Sequence, residues 1–256
     1  MTQKINVWEG VYSSWEEAPG DDDVFDGTVW IGKVTDRAQK AVAAYRSSES
    51  VSLATLNKDY ILSVAGGMLL SSLEDDLRVL DFGGSMAASY FPLIASMPDP
   101  DKVEFHIVEG KIICERGKEV LSDFPKLHFH QQLPQLPQPV HIVHAGSSIQ
   151  YVLDWKGLLA EFTNYRPRLL ILEDLMAGDI PSFITTQAYY GKKIRSWFLN
   201  INEIIEAVQD LGYQLTYKSR YTHEIMGEVG PLPMENFSPE YRLNYGSHLM
   251  FERIES

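Results

Sequence analysis

From Leu77 onward the chain alternates short apolar runs with amphipathic stretches, and few folds accommodate that order. Arg78-Val79-Leu80-Asp81-Phe82 reads as a strand that stops at glycines. Met86 to Ser96 reads as a helix that Pro92 kinks or interrupts. Glu104 to Glu109, Leu127 to His130, His141 to His144 and Leu169 to Leu172 read as further strands. Helical stretches lie between them, one over Ile112 to Leu121 and one carrying Leu158, Leu159 and Phe162. The turn from Pro134 to Pro139 introduces the fourth strand. Such a βαβα order predicts an α/β fold: a doubly wound, Rossmann-like parallel sheet with helices on both faces and right-handed crossovers.

The two ends of the chain read differently. After Pro167, Asn200 is placed to cap a helix, with Glu203 at the reciprocal position, Ile204, Ile205, Val208 and Leu211 on one face, and Gly212 as its left-handed stop. Tyr213 to Tyr217 and Ser247 to Ile254 alternate as strands. The long connection from Pro231 to Asn244 predicts that the last strand returns antiparallel. The first 75 residues form a cap or lid segment, distinct from a domain over residues 76–256. That segment carries Trp8, Tyr12, Trp15 and Trp30, the acidic run Asp21-Asp22-Asp23, and helices over Asp36–Arg46 and Lys58–Leu73. The second of these shows Ile61, Val64, Met68 and Leu69 at helical spacing, though Gly66-Gly67 interrupts it. Trp8, Tyr12 and Trp15 either anchor this segment or cover a ligand.

Composition removes several function classes. With 256 residues, 45% of them hydrophobic, the chain can build a core. A net charge of -13 argues against nucleic acid as a partner. Cys114, the single cysteine, can form neither an internal disulfide nor a multi-cysteine zinc site. Met1 to Tyr12 lacks an apolar signal core, and the longest apolar stretch, Tyr60 to Leu70, falls short of a membrane span. The expectation is a cytoplasmic protein without membrane insertion; the sequence does not specify an oligomeric state.

The chemistry concentrates at Val79-Leu80-Asp81-Phe82-Gly83-Gly84-Ser85. Glycines between a strand and a helix let the backbone approach a ligand closely. Amides at a helix start favour anionic or hydrogen-bond-accepting groups. Glu109, at the end of the next strand, is placed to accept hydrogen bonds from both hydroxyls of a ribose. The G-x-G-x-x-G spacing of a dinucleotide site is missing, as are a phosphate loop of the G-x-x-x-x-G-K type and a G-x-S-x-G elbow. His128 and His130 share a strand face, but no acidic or cysteine partner shows metal-ligand spacing, and no metal is expected.

In Leu80-Asp81-Phe82-Gly83-Gly84-Ser85 together with Glu109, the chain resembles the class I S-adenosylmethionine-dependent methyltransferases. It departs from their D-x-G-x-G-x-G pattern at the second and third glycine positions, which Ser85 and Ala87 occupy. Trp8-x-Gly10-x-Tyr12-x-x-Trp15, the Asp81–Ser85 turn, Gly146-Ser147-Ser148-Ile149-Gln150-Tyr151 and Thr186-Gln187 are similar, more narrowly, to a methyltransferase family encoded among bacterial surface-polysaccharide genes. The resemblance implies S-adenosylmethionine as cofactor, bound in the 76–256 domain. Asp81 would lie near its aminoacyl end, Gly83, Gly84 and Ser85 would give backbone contact, and Phe129 or His130 would border the adenine. A small-molecule acceptor follows, with a surface-glycan sugar as one class.

Methyl transfer to a hydroxyl or amine calls for a base near neutral pKa. His144 is the candidate, expected at the pocket mouth beyond the end of its strand, with Glu173 and Asp174 next. Two other readings stand beside this one: a non-catalytic nucleoside-binding protein, and an NAD- or nucleotide-sugar-dependent enzyme.

Overall fold

The computed structural model describes residues 6–47, 53–136, 139–225 and 228–254. Residues 137 and 138 of the Pro134–Pro139 turn, and residues 1–5 of the N-terminal stretch, lie outside the described residues. In chain order, strand β1 (Trp8–Tyr12) precedes helices α1 (Thr28–Arg46) and α2 (Leu53–Leu70). Next come β2 (Leu77–Phe82), α3 (Tyr90–Ser96), β3 (Val103–Val108), α4 (Lys111–Val120), β4 (Leu127–His130) and β5 (Ile142–Gly146). Helix α5 (Trp155–Asn164), β6 (Leu169–Leu175), the short β7 (Ala177–Gly178), β8 (Phe183–Tyr189) and β9 (Lys192–Asn200) follow. Then stand α6 (Ile201–Asp210), β10 (Tyr213–Tyr221), β11 (His223–Ile225), β12 (Glu228–Gly230) and β13 (Gly246–Arg253). Among the described residues no helix is long and apolar enough to cross a membrane.

The chain forms two compact units. The first holds residues 25–146 and 164–171. Its strands stand in the order β6-β5-β2-β3-β4, with β2 parallel to both β5 and β3, and β3 parallel to β4. Leu77, Val79, Leu80, Phe105, Ile107, Ile142 and Val143 are all fully buried. Strands covered on both faces need apolar side chains on both, which is why these runs read as continuously hydrophobic. From β2 the order runs one way through β3 and β4 and the other way to β5. That reversal is a topological switch point, and sheets of this kind bind ligands beyond the carboxyl ends of the strands that flank it.

Two helices of this unit differ from the sequence pattern. Helix α3 starts at Tyr90 rather than Met86 because Ser85 and Ala87 have φ of 53° and 65°, outside any right-handed helix. The late start puts Pro92 in the first turn, where a missing N–H costs no helical hydrogen bond. On α2, Ile61, Leu62, Ala65 and Leu69 are buried, whereas Val64 and Met68, expected on the same face as Ile61 and Leu69, are exposed. Gly66 explains its own presence: a Cβ there would meet Leu93 Cδ1 at 2.7 Å, so the glycine lets α2 approach α3.

The second unit holds residues 1–24, 147–163 and 172–256. Here the order β10-β13-β6 brings β13 antiparallel to β10, as the long Pro231–Asn244 connection predicts. A separate sheet in the order β1-β8-β9-β7 covers a core of Trp8, Phe183, Phe198, Leu232 and Phe237. Trp8 meets Phe198 edge-on at 5.4 Å and is fully buried, so it anchors the segment. The run Asp21-Asp22-Asp23 is docked on β9. Asp21 and Lys193 exchange backbone and carboxylate hydrogen bonds, Asp22 pairs with Arg195, and Asp23 pairs with Lys192. Asn200 Oδ1 accepts from Asn202 N at 2.9 Å and caps α6. Glu203 does not return the bond: its carboxylate accepts from Ser182 Oγ, which itself accepts from Asn200 N at 2.8 Å. Gly212 takes the left-handed φ of 88° expected of it.

Candidate functional site

At the switch point of the first unit stands the turn after β2. Gly83 N donates to Val108 O at 3.0 Å, pinning the turn to the end of β3. Residues 83, 85 and 87 all adopt left-handed backbone, with φ of 72°, 53° and 65°. These are the three glycine positions of the pattern the sequence departs from, and the backbone holds the conformation without glycine at two of them. Ser85 N, turned outward by this geometry, donates to Glu109 Oε1 at 2.9 Å. Glu109 Oε2 accepts from Gly110 N at 2.9 Å. Burial raises the Glu109 carboxyl above its ordinary pKa, against the lowering effect of those two amides.

Behind the turn lies Asp81, completely buried. Its Oδ1 stands 2.7 Å from His144 Nδ1, and its Oδ2 has no hydrogen-bond partner among the described residues. Gly84 exists because of this carboxylate: a Cβ at that position would stand 2.2 Å from Asp81 Oδ2. Thus Asp81, Gly83, Gly84, Ser85 and Glu109 form one constellation, and His144 joins it through Asp81.

His144 does not stand at a pocket mouth as expected. It is 1% exposed, because β5 runs on to Gly146 and keeps the imidazole inside the sheet. Phe129 and His130 do not turn toward the glycine turn either. The Phe129 ring lies beneath Gly117 of α4, where a Cβ would be 2.5 Å from it. The His130 imidazole bonds His106 at 3.0 Å, and only its backbone carbonyl reaches Glu109, accepting from Glu109 N at 2.9 Å. A cavity of about 510 Å³ in the same unit is lined by Asp26 in the turn before α1, by Thr28, Thr35 and Asp36 of α1, and by Ile112 and Arg116 of α4. Thr35 Oγ1 is 3.6 Å from Met86 Sδ, so its wall touches the turn. The sequence marks this helix only from Asp36 and gives Asp26 and Asp36 no role at a site; the helix carries no motif, and it packs on α4.

In the second unit the residues following β5 and ending β6 interlock. Ser147 and Asp174 are both left-handed, with φ of 51°. Ser147 N donates to Glu173 O at 2.9 Å, and Gln150 Nε2 donates to Ser147 Oγ at 3.2 Å. The Tyr151 hydroxyl donates to Gln187 Oε1 at 2.9 Å, and burial pushes its pKa upward. That bond joins two of the segments named in the resemblance, at Tyr151 and Gln187. Glu173 and His248 are both buried, with Glu173 Oε1 3.6 Å from His248 Nδ1, and Asp174 N donates to that same nitrogen at 3.2 Å. His248 was not marked by the sequence because only the antiparallel return of β13 brings it to β6.

No protein-family model matches the sequence, and no curated protein matches it. Solved structures do share the fold. One is a chain of the Haloferax volcanii complex between the Trm112 methyltransferase activator and a methyltransferase, at TM-score 0.53 and 12% identity, covering 91% of this chain and 97% of that one. Another is an S-adenosylmethionine-dependent methyltransferase from Clostridium acetobutylicum, at TM-score 0.51 and 9% identity, covering 84% and 97%. The strand order, the helices and these likenesses together give the chain the Rossmann-like fold found in methyltransferases.

Proposed function

We propose that this protein transfers a methyl group from S-adenosylmethionine to a small molecule. The observation that carries the reading is the turn after β2, left-handed at residues 83, 85 and 87, with a buried acid behind it and Glu109 fastened to its amide. The residues present fit that cofactor. Asp81 Oδ2 is a buried acceptor with no donor among the described residues, which suits the ammonium end of an amino acid. Gly83 and Gly84 present backbone with no side chain in the way. Each Glu109 oxygen accepts one amide and keeps lone-pair capacity for a ribose hydroxyl. Asp26 and Asp36 give the neighbouring cavity acids suited to a sulfonium cation. When bound, S-adenosylmethionine supplies an electrophilic methyl group.

In this reading His144 is a positioning residue. It holds the Asp81 carboxylate in place through Nδ1 and takes no proton from the acceptor. A hydroxyl of a surface-glycan sugar is the acceptor class that the sequence resemblance implies. The burial of His144 also favours a second reading, a nucleoside-binding protein without turnover, which would bind the cofactor yet methylate no acceptor.

Calorimetry with S-adenosylhomocysteine tests the site. The intact chain should bind, and Glu109→Ala should weaken binding about 10- to 100-fold, the range set by one charged hydrogen bond of about 1.5–3 kcal/mol. Unchanged affinity in a folded Glu109→Ala protein removes Glu109 from the site. Failure of the intact chain to bind, with binding of NAD or a nucleotide sugar instead, overturns the methyltransferase reading.

A further inference from the structure

At the start of β3 and along β4, on one face of the sheet in the first unit, three side chains converge that no part of the methyltransferase reading uses. Glu104 and His106 are two residues apart on β3 and so share a face; His106 is in register with His128 on the edge strand β4. The ligand atoms of Glu104, His106 and His128 all lie within 4.8 Å of one another. Glu104 Oε1 is 3.3 Å from His106 Nε2 and 3.7 Å from His128 Nε2. We propose that Glu104 Oε1, His106 Nε2 and His128 Nε2 form a binding site for a zinc ion.

His106 gives the strongest support. Its side chain is 6% exposed, and its Nε2 has no hydrogen-bond partner among the described residues, even with the Glu104 oxygen nearby. A buried imidazole nitrogen without a hydrogen bond costs stability unless something else satisfies it, and a cation among the three atoms does so. The opposite nitrogen is already oriented, since His106 Nδ1 lies 3.0 Å from His130 Nε2. That is the outer contact that fixes the ring of a metal-bound histidine and its tautomer.

Glu104 is likewise held from outside the set. Arg78 bonds its other oxygen, with Nη2 2.6 Å and Nε 2.8 Å from Oε2, and leaves Oε1 facing the histidines. Two imidazoles and one carboxylate are a zinc ligand set that leaves a fourth, solvent-facing position. Tetrahedral ligands at zinc bond lengths stand about 3.4 Å apart, so the set closes with a movement on the order of 1 Å. His128, 38% exposed at the edge strand, has room to make it.

The test is a titration of tag-free, metal-stripped full-length protein with Co²⁺, followed by displacement with Zn²⁺. One equivalent of Co²⁺ should produce the intense visible absorption of a four-coordinate site, and Zn²⁺ should bleach it. His128→Ala, a change at a partly exposed position that keeps the fold, should weaken binding at least tenfold, as should Glu104→Gln. His130→Ala should weaken it about 10- to 100-fold through loss of the outer contact. His141→Ala, a histidine bonded to Arg78 N away from the set, should bind as wild type. Absence of the cobalt spectrum at one equivalent, or a spectrum unchanged in folded His128→Ala, overturns the proposal.

Discussion

Replacing Ser85 by glycine should stabilise the protein, although serine there is an ordinary surface-compatible residue. An L-residue in the left-handed region costs roughly 1–2 kcal/mol. Glycine avoids that cost, while its greater freedom in the unfolded chain takes back roughly 0.5–1 kcal/mol. The Ser85 side chain is half-buried, so losing it costs little packing. The net gain is about 0.5–1 kcal/mol, or roughly 1–4 °C in melting temperature for a chain of this size. Ala87 has the same backbone strain at φ 65°, but its methyl group is fully buried. Losing that methyl costs about 0.8 kcal/mol, so Ala87→Gly should be close to neutral. Ser85→Val should lose on the order of 1 kcal/mol or more, since a branched Cβ at positive φ is strained further. Gly84→Ala, which would place a carbon 2.2 Å from Asp81 Oδ2, should cost at least about 2 kcal/mol. Thermal and urea melts followed by circular dichroism, run on all four variants together, give the ranking. Should Ser85→Gly fail to exceed wild type while Ser85→Val matches it, the left-handed geometry is not what this position demands.

Glu109→Gln should change how stability depends on pH. Burial raises the native Glu109 pKa, so the folded protein binds that proton more tightly than the unfolded chain does. The group therefore stabilises most below its ordinary pKa of 4.5, and this contribution is lost as pH rises through the higher native value. Unfolding free energies at pH 4 and pH 7 should show wild type gaining on Glu109→Gln at the lower pH. Ser182→Ala should cost about 1 kcal/mol by urea melts, because Ser182 Oγ accepts from Asn200 N where a reciprocal glutamate was expected. Glu203→Ala, in contrast, should cost less than Ser182→Ala.

The parallel core was legible because burial on both faces leaves an unbroken apolar record. Leu169 to Leu172 and Val79-Leu80 are buried throughout, and glycine or proline punctuates their ends. The sheet of β1, β8, β9 and β7 left a weaker record. Trp8–Tyr12 contains Gly10 at φ 80°, and its partner strand is Phe183–Tyr189, far along the chain, so no local periodicity marks it. The β8–β9 hairpin did carry a signal, Tyr190-Gly191, whose φ values of 47° and 84° are those of a type I′ turn. The signal is muted because tyrosine stands where asparagine usually does. Glu104, His106 and His128 became neighbours only through the β3–β4 register, which fixes which side chains face one another and which the linear spacing does not reveal.

The glycine pattern is the place where residue identity and backbone conformation part company. A glycine motif records where φ must be positive, and it does so indirectly, by naming the residue for which positive φ costs least. The same φ can be imposed on other residues when enough contacts determine it. Here Gly83 N is bonded to Val108 O, Ser85 N to the Glu109 carboxylate, and Ala88 N to Gly84 O, while Asp81 closes the inner side of the turn. Those constraints fall on both sides of residues 85 and 87 and leave the chain no relaxed alternative. Ser85 and Ala87 therefore mark a loss of conformational ease rather than a loss of the turn, and the amide that a third-strand acid must meet is still presented to Glu109.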